Sequence, residues 1–482
     1  MSRRVVGPFN RVEGDLEVVL EVEHDRVKSA QVSSSLYRGF EQILQGKEPG
    51  DALVYTPRIC GICSVSQSVA AAHALAALQG VTPPPNGELA INLILANENV
   101  ADHLTHFYLF FMPDFARETY RDEPWYQMIE PRFRAQSGSA AGEMLPARAQ
   151  FMHLMGLLAG KWPHSLAIQP GGSTRAIEMQ ERARLQAILF GFRRFLETTL
   201  YGDTLENIAA LDSIAALDAW IDARDPGSSD FRRFLEVAKA LDLHRLGRGI
   251  DHFMSYGVYR QQGEPRFRQG VWDGDDKPLN TALITEDVSH SWMVHQKRPR
   301  HPFDGITLPD ADASEAYSWC KAPRLDGRVV EVGALARQQV DGQPLIRALI
   351  AESGGNVRNR VIARLLEIAR VVVLMETWVR DIEPGEAICN HKSFPKEAQG
   401  FGLVEAARGS LGHWIKVKKG RILNYQIIAP TTWNFSPRDR DGQPGPLELA
   451  LVDAPLRAGE KDPVSVQHIV RSFDPCMVCT VH

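Results

Sequence analysis

Arg471-Ser-Phe-Asp-Pro-Cys-Met-Val-Cys-Thr-Val-His482 sets two thiols and an imidazole within seven positions. Chain ends usually fray and carry little chemistry. A stretch that uses a third of the six cysteines is accounted for if a metal ties it down, because soft thiolates bind late transition metals and hold their backbone. Its counterpart is Pro57-Arg-Ile-Cys-Gly-Ile-Cys63, a turn that precedes the Ala-rich, helical run Ser66 to Leu78. Cys60 with Cys63, and Cys476 with Cys479, are two Cys-x-x-Cys hooks, the usual way to build a four-thiolate site. One reading is a structural zinc site. Such sites usually staple a compact local module, whereas these hooks lie almost a whole chain apart. The other reading is a buried active centre where both termini meet.

Composition narrows the class. At 482 residues the chain exceeds what one hydrophobic core usually supports. Hydrophobic residues at 44% and charged residues at 23% suit a folded soluble protein. A net charge of −5 argues against nucleic acid as the main partner, and no apolar run reaches the roughly 18 residues that span a bilayer. The start lacks an apolar secretory segment. Sparse cysteines, four of them in Cys-x-x-Cys pairs, fit a reducing cytoplasm better than a disulfide framework.

Periodicity outlines the fold. Leu16 to Val22 alternates apolar and charged residues, breaks at His24-Asp25 and resumes over Val27 to Val32, which predicts a hairpin. Asn86 to Met112 predicts one long helix capped by Asn86 and ended at Pro113-Asp114. Ala147 to Lys161, Thr174 to Thr198 and Val357 to Arg380 predict further helices. Between 225 and 323 short strands such as Gly270-Val-Trp and Ala282-Leu-Ile stand among Pro, Gly and Asp. Val404 to Ala407, Trp414 to Lys418 and Arg421 to Ala429 predict strands; Leu447 to Val452 and Pro463 to Arg471 predict short helices that deliver the tail. The expected class is α+β and mainly helical. A long-helix bundle forms the core, with small β-sheets near the N-terminal and C-terminal regions. We read one domain over 1–482: a β-rich part at 1–60, a helical core at 61–223 and 355–380, a mixed elaboration at 224–354, and a β/α part at 400–482 that completes the metal site.

The two hooks, Arg58-Ile-Cys-Gly-Ile-Cys63 and Asp474-Pro-Cys-Met-Val-Cys-Thr-Val-His482, resemble the signature motifs of the nickel–iron hydrogenase large subunit. Arg11-Val-Glu-Gly14, Tyr37-Arg-Gly-Phe-Glu41, Asp102-His-Leu-Thr-His-Phe-Tyr108, Pro170-Gly-Gly172, Ala407-Arg-Gly409 and Tyr425-Gln-Ile-Ile-Ala-Pro-Thr-Thr-Trp-Asn434 extend the resemblance along the chain. It implies nickel held by Cys60, Cys63, Cys476 and Cys479. Cys63 and Cys479 would bridge to an iron carrying cyanide and carbon monoxide, a Ni-Fe(CN)2(CO) centre. It further implies that Cys476 takes the proton from split dihydrogen and that Glu13 relays it. Arg408 would overhang the open metal position, with Asp114 and Asp474 as its partners. Magnesium would be held by Glu41, His482 and the carbonyl of Ile427. Electrons would leave through iron–sulfur clusters of a partner small subunit, and maturation proteins would load the centre. Cys320 and Cys389 match no ligand and read as buried small apolar residues.

Three departures bear on the role. Gln67 stands four residues after Cys63, where energy-conserving members carry histidine; an amide replaces an imidazole donor to sulfur only approximately. Ile62 and Phe110 stand where the family's gas channel has smaller side chains. Together they resemble the regulatory, hydrogen-sensing branch. That implies slow turnover, oxygen tolerance and a histidine kinase of a two-component system as a further partner. The rival reading is an energy-conserving uptake hydrogenase that carries Gln67. A third is a non-catalytic relative such as the quinone-site subunit of respiratory complex I, against which retention of all four cysteines counts. Asp15 and Ala407 depart from the pattern with no consequence that the sequence reveals.

Overall fold

The computed structural model describes residues 2–457, 460 and 462–482. Alternation from Leu16 builds the expected hairpin. Leu16–Glu23 pairs antiparallel with Arg26–Ser34, and His24 and Asp25 take the left-handed conformation that the tight turn needs. A strand that the alternation does not announce, Ser2–Val6, adds to its edge.

The helical core follows the long apolar runs, with shifted ends. The predicted Asn86–Met112 helix is Pro85–Thr105, followed by a π-helical turn over His106–Phe111 and a 3-10 turn over Met112–Ala116. Pro113 lacks the N–H that would continue the α-helix. Asn86 does not cap; it lies inside the first turn, donates to the carbonyl of Glu383 (2.6 Å) and accepts from its N–H (3.1 Å). Ala147 to Lys161 resolves into two helices, Ser139–Phe151 and His153–Ala159, and Thr174 to Thr198 into Met179–Phe195 with a π-helical extension over Leu196–Tyr201. Val357–Asp381 forms the longest helix. The Asn356 side chain accepts from Asn359 N–H at its start. It packs along Pro85–Thr105, burying Leu365, Val371 and Met375 together with Leu93 and Ile94. Each such side chain contributes about 1.5–3 kcal/mol.

In the middle of the chain Phe253–Gln261 and Glu264–Trp272 form a hairpin that contains the expected Gly270-Val-Trp strand. Ala282-Leu-Ile is instead a 3-10 turn, Thr281–Leu283, leading into the strand Ile284–Asp287.

Near the C-terminus, Ala398–Ala406, Gly409–Lys418 and Arg421–Ile428 make a three-stranded antiparallel meander. Its first strand lies on the helix Ser64–Gln79, which is buried on almost every side. The approach demands Gly402, because a Cβ there would fall 2.0 Å from the carbonyl oxygen of Ala70. This contact seats the first hook beside the sheet whose turn carries Arg408. The fold is mainly helical α+β with small sheets towards both ends. None of the described helices is long and apolar enough to cross a membrane.

Candidate metal centre

Both hooks converge. Cys60 Sγ lies 3.5 Å from Cys476 Sγ, Cys63 Sγ 3.0 Å from Cys479 Sγ, and Cys476 Sγ 3.1 Å from Cys479 Sγ. All four sulfurs fall within 4.8 Å of one another and all four residues are buried. Local structure explains the aim. Cys60 follows the 3-10 turn Thr56–Ile59 in extended conformation, Cys63 is the N-cap of Ser64–Gln79, and Cys476 opens the helical turn Met477–Thr480. Crowding splits the thiols. Hydrogen bonds from its neighbours, Cys476 first, hold Cys60 well below the usual thiol range. Hydrogen bonds with its neighbours, Cys476 first, push Cys63 well up, and burial first pushes Cys479 well up. Four thiolates this close need a cation to cancel their repulsion, so the donor set fits a soft metal.

The backbone around the hooks is stitched. Glu13 N–H donates to Pro475 C=O (3.4 Å) and Met477 N–H donates to Glu13 C=O (2.7 Å), making a short parallel bridge between Glu13 and Cys476. Gly14 permits it by a left-handed φ of 82°; a Cβ there would sit 3.1 Å from Met477 Cβ. Cys476 N–H donates to Thr431 Oγ1 (3.2 Å), and Thr432 Oγ1 donates to Thr480 C=O (3.0 Å). Arg38 donates to the carbonyls of Ile59 (2.6 Å) and of Val478, each the residue just before a cysteine. These roles of Arg38, Thr431 and Thr432 were missed from the sequence, although all three lie inside quoted motifs.

Glu13 is half-buried. Burial, then the nearby Cys60, raises its carboxyl above the usual range against the pull of Arg408.

Arg408 corrects one expectation. Its guanidinium pairs with Asp474 (Nη2 to Oδ1, 3.1 Å) and with Asp102 (Nη2 to Oδ1, 3.2 Å, with Nη1 on Oδ2), and Nε donates to Asp474 C=O (2.8 Å). Asp114 is not its partner. The π-helical and 3-10 turns after Thr105 carry Asp114 away to Arg471 (2.7 Å), His468 (3.2 Å) and Arg11. Asp102, one helical turn before the π-helical segment, takes the place. Burial pushes the Asp102 carboxyl up to about 7 against the pull of Arg408.

At the far end of the tail, His482 Nε2 lies 3.3 Å from Glu41 Oε1, which also accepts from the N–H of Ile427 (2.8 Å). The ammonium of Lys321 rests against Glu41 (3.1 Å), Glu286 (3.3 Å) and Gln426 (2.9 Å), and Glu286 Oε1 is buried without a partner among the described residues. Gln67 is fully buried with Oε1 2.8 Å from His413 Nε2. Ile62 is half-buried against the core, its N–H donating to Cys60 Sγ (3.3 Å). Phe110 is half-buried in the π-helical turn, and its carbonyl accepts from Arg11 (3.2 Å). Cys320 is buried as expected, whereas Cys389 is only half-buried, 3.9 Å from His391 Nδ1.

Comparison with known proteins agrees with this geometry. The profile of the family described as "Nickel-dependent hydrogenase" matches residues 38–120 and 142–482. The periplasmic NiFeSe hydrogenase large subunit of Desulfomicrobium baculatum is 29% identical, over 99% of this chain and 94% of that one. The uptake hydrogenase large subunit of Rhodobacter capsulatus is 27% identical, over 100% of this chain and 95% of its own length. The solved structure of the Ni-Fe-Se hydrogenase from D. vulgaris Hildenborough in the reduced state superposes with a TM-score of 0.85 at 29% identity, covering 100% of both chains.

Proposed function

The chain belongs to the nickel-dependent hydrogenase family, and from that premise we propose that it is the large subunit that splits dihydrogen heterolytically at a nickel–iron centre. The observation that carries the reading is the buried cluster of four cysteine sulfurs, with the Arg408–Asp102–Asp474 group close enough for Cys476 and Cys63 to act on the guanidinium charge. Cys60, Cys63, Cys476 and Cys479 would hold the nickel, and Cys63 and Cys479 would also hold the iron. When bound, the Ni-Fe(CN)2(CO) group supplies a soft, redox-active site for cleaving the H–H bond; zinc has no accessible redox change and would not serve.

The protein's own residues do the rest. Cys476 Sγ holds the released proton, and Glu13, fixed beside it by two backbone hydrogen bonds, accepts it at a carboxylate whose raised affinity for protons suits a relay. Arg408 keeps a fixed positive charge near Cys476 and Cys63 because two buried carboxylates hold it. Glu41 and His482 would hold magnesium together with the Ile427 carbonyl. A carboxylate, an imidazole and the unpartnered Glu286 oxygen suit a hard cation, and Lys321 already supplies part of the positive charge.

Its partner would be a small subunit carrying iron–sulfur clusters, because four cysteines are committed and Cys320 and Cys389 lie apart. Maturation proteins would load the centre, in the cytoplasm, although one relative is named periplasmic. The named relatives favour an uptake hydrogenase that burns dihydrogen as fuel. A second reading rests on Gln67, Ile62 and Phe110: a slow, oxygen-tolerant sensor that reports to a histidine kinase. Metal analysis and infrared spectroscopy of the purified complex test the main reading. Nickel and iron with carbon monoxide and cyanide bands are expected; zinc alone would overturn it. Turnover separates the two forms, since rates comparable with uptake enzymes would exclude the sensor.

A further inference from the structure

The helix Ser64–Gln79 begins at a residue that does not tie off its own start. Cys63 is the N-cap and makes no side-chain capping bond; its sulfur is turned instead to Cys479 Sγ, 3.0 Å away. The first amides of a helix have no partner within it, and an N-cap side chain normally accepts from the second or third of them. Here those two are Val65 N–H and Ser66 N–H. Both donate to Glu98 at 2.8 Å, Val65 to Oε2 and Ser66 to Oε1.

Glu98 is buried on the helix Pro85–Thr105, so the cap is supplied by a different helix. Ser66 Oγ donates to Oε1 (2.9 Å) and Trp162 Nε1 to Oε2 (3.1 Å), which gives each oxygen two donors. Three of these donors are N–H groups that cannot reverse. A carboxylate fits them, whereas an amide would set its own NH2 against one of them. Burial pushes the carboxyl up to about 7 against these hydrogen bonds, and mildly alkaline solution holds it as the anion. Asp102, which holds Arg408, follows Glu98 by four residues and lies on the same face of that helix. One helix thus grips the first hook with one carboxylate and the arginine with the next.

We infer that Glu98 is a positioning residue: it caps the helix that Cys63 begins and so leaves the Cys63 sulfur free to face the other three. The inference rests on the nickel–iron reading above. Without the carboxylate, the orphaned Val65 and Ser66 amides would compete with the metals for that sulfur, since sulfur is itself an acceptor. The anion also offsets the partial positive charge of the helix start beside a metal ligand. Losing it draws electron density from the sulfur, weakens back-donation to the iron-bound diatomics and raises their stretching frequencies.

The test compares Glu98→Gln and Glu98→Leu with wild type in the complete complex, purified with its metals and held in mildly alkaline buffer. Metal analysis, infrared spectroscopy and thermal unfolding are the readouts. Glu98→Gln keeps the shape and loses the charge; it should move the carbon monoxide and cyanide bands to higher wavenumber with most of the nickel retained. Glu98→Leu offers neither amide an acceptor and should lower nickel content severalfold. Full nickel and unmoved bands in Glu98→Gln would overturn the inference, even if its melting temperature falls and whatever becomes of Glu98→Leu. Absence of such bands in the wild-type complex would instead defeat the nickel–iron reading itself.

Discussion

Arg408 and Asp102 form a fully buried ion pair, the guanidinium meeting both carboxylate oxygens while Asp474 holds its other edge. Asp102→Asn removes half the charge that aims the guanidinium. Because displacement of a catalytic group by about 1 Å can cost about a hundredfold, hydrogen–deuterium exchange activity should fall by about 10–100-fold with the metals retained. Unchanged exchange at normal nickel content would show that Asp474 suffices.

Asp114 predicts the opposite behaviour. Its carboxyl is held far below the usual range by Arg471, Arg11 and His468, overcoming the opposing effect of burial. Asp114→Asn leaves buried cations unpaired and should destabilise the fold by about 3–5 kcal/mol in urea unfolding. A depressed carboxylate pKa contributes stability above the unfolded value of about 3.9, lost as pH falls below it. The gap between wild type and variant should therefore narrow as the solution is acidified; a constant gap would refute the ion-pair account.

Glu13 must be ionised to accept a proton, and burial raises its pKa. The acidic limb of the exchange rate should thus lie above the ordinary glutamate value of about 4.3, with activity rising as pH rises through it. Glu13→Gln should abolish exchange and leave nickel bound. Full exchange in that variant would rule out the relay.

Arg38 touches the backbone of both hooks. Arg38→Met should lower nickel content severalfold in complexes purified intact. Arg38→Lys, which keeps the charge but not the fork, should recover only part of it. Equal nickel content in all three proteins would reduce Arg38 to surface packing.

The channel reading of Ile62 and Phe110 predicts that Ile62→Val with Phe110→Leu makes activity oxygen-sensitive. Inactivation under air, timed against wild type, measures this; identical time courses would sink it.

The hooks and the tail were legible in the sequence because cysteine spacing survives without any tertiary information, as did the long helices with strong periodicity. Asp114 was misread for a definite reason. The turn after Thr105 widens to a π-helical and then a 3-10 path, which no periodicity announces, so Asp102 rather than Asp114 reaches Arg408. Arg38, Thr431 and His413 were invisible as site residues because their partners are backbone atoms or side chains distant in sequence. Asn86 misled through its type: an asparagine near a helix start usually caps, and here a backbone neighbour from Glu383 claims it.

The 416-residue separation of Cys60 from Cys476 also sets an order of events. Contacts of such long range form only after the intervening chain has been organised, since closing a large loop costs entropy before it returns any interaction. Even the core pairs Pro85–Thr105 with Val357–Asp381 across a long stretch of chain, and the cysteine cluster spans more of the chain still, so it is among the last things to close. Metal affinity is thereby spent on latching the two chain ends together, so losing the metals should loosen the ends first and the core last.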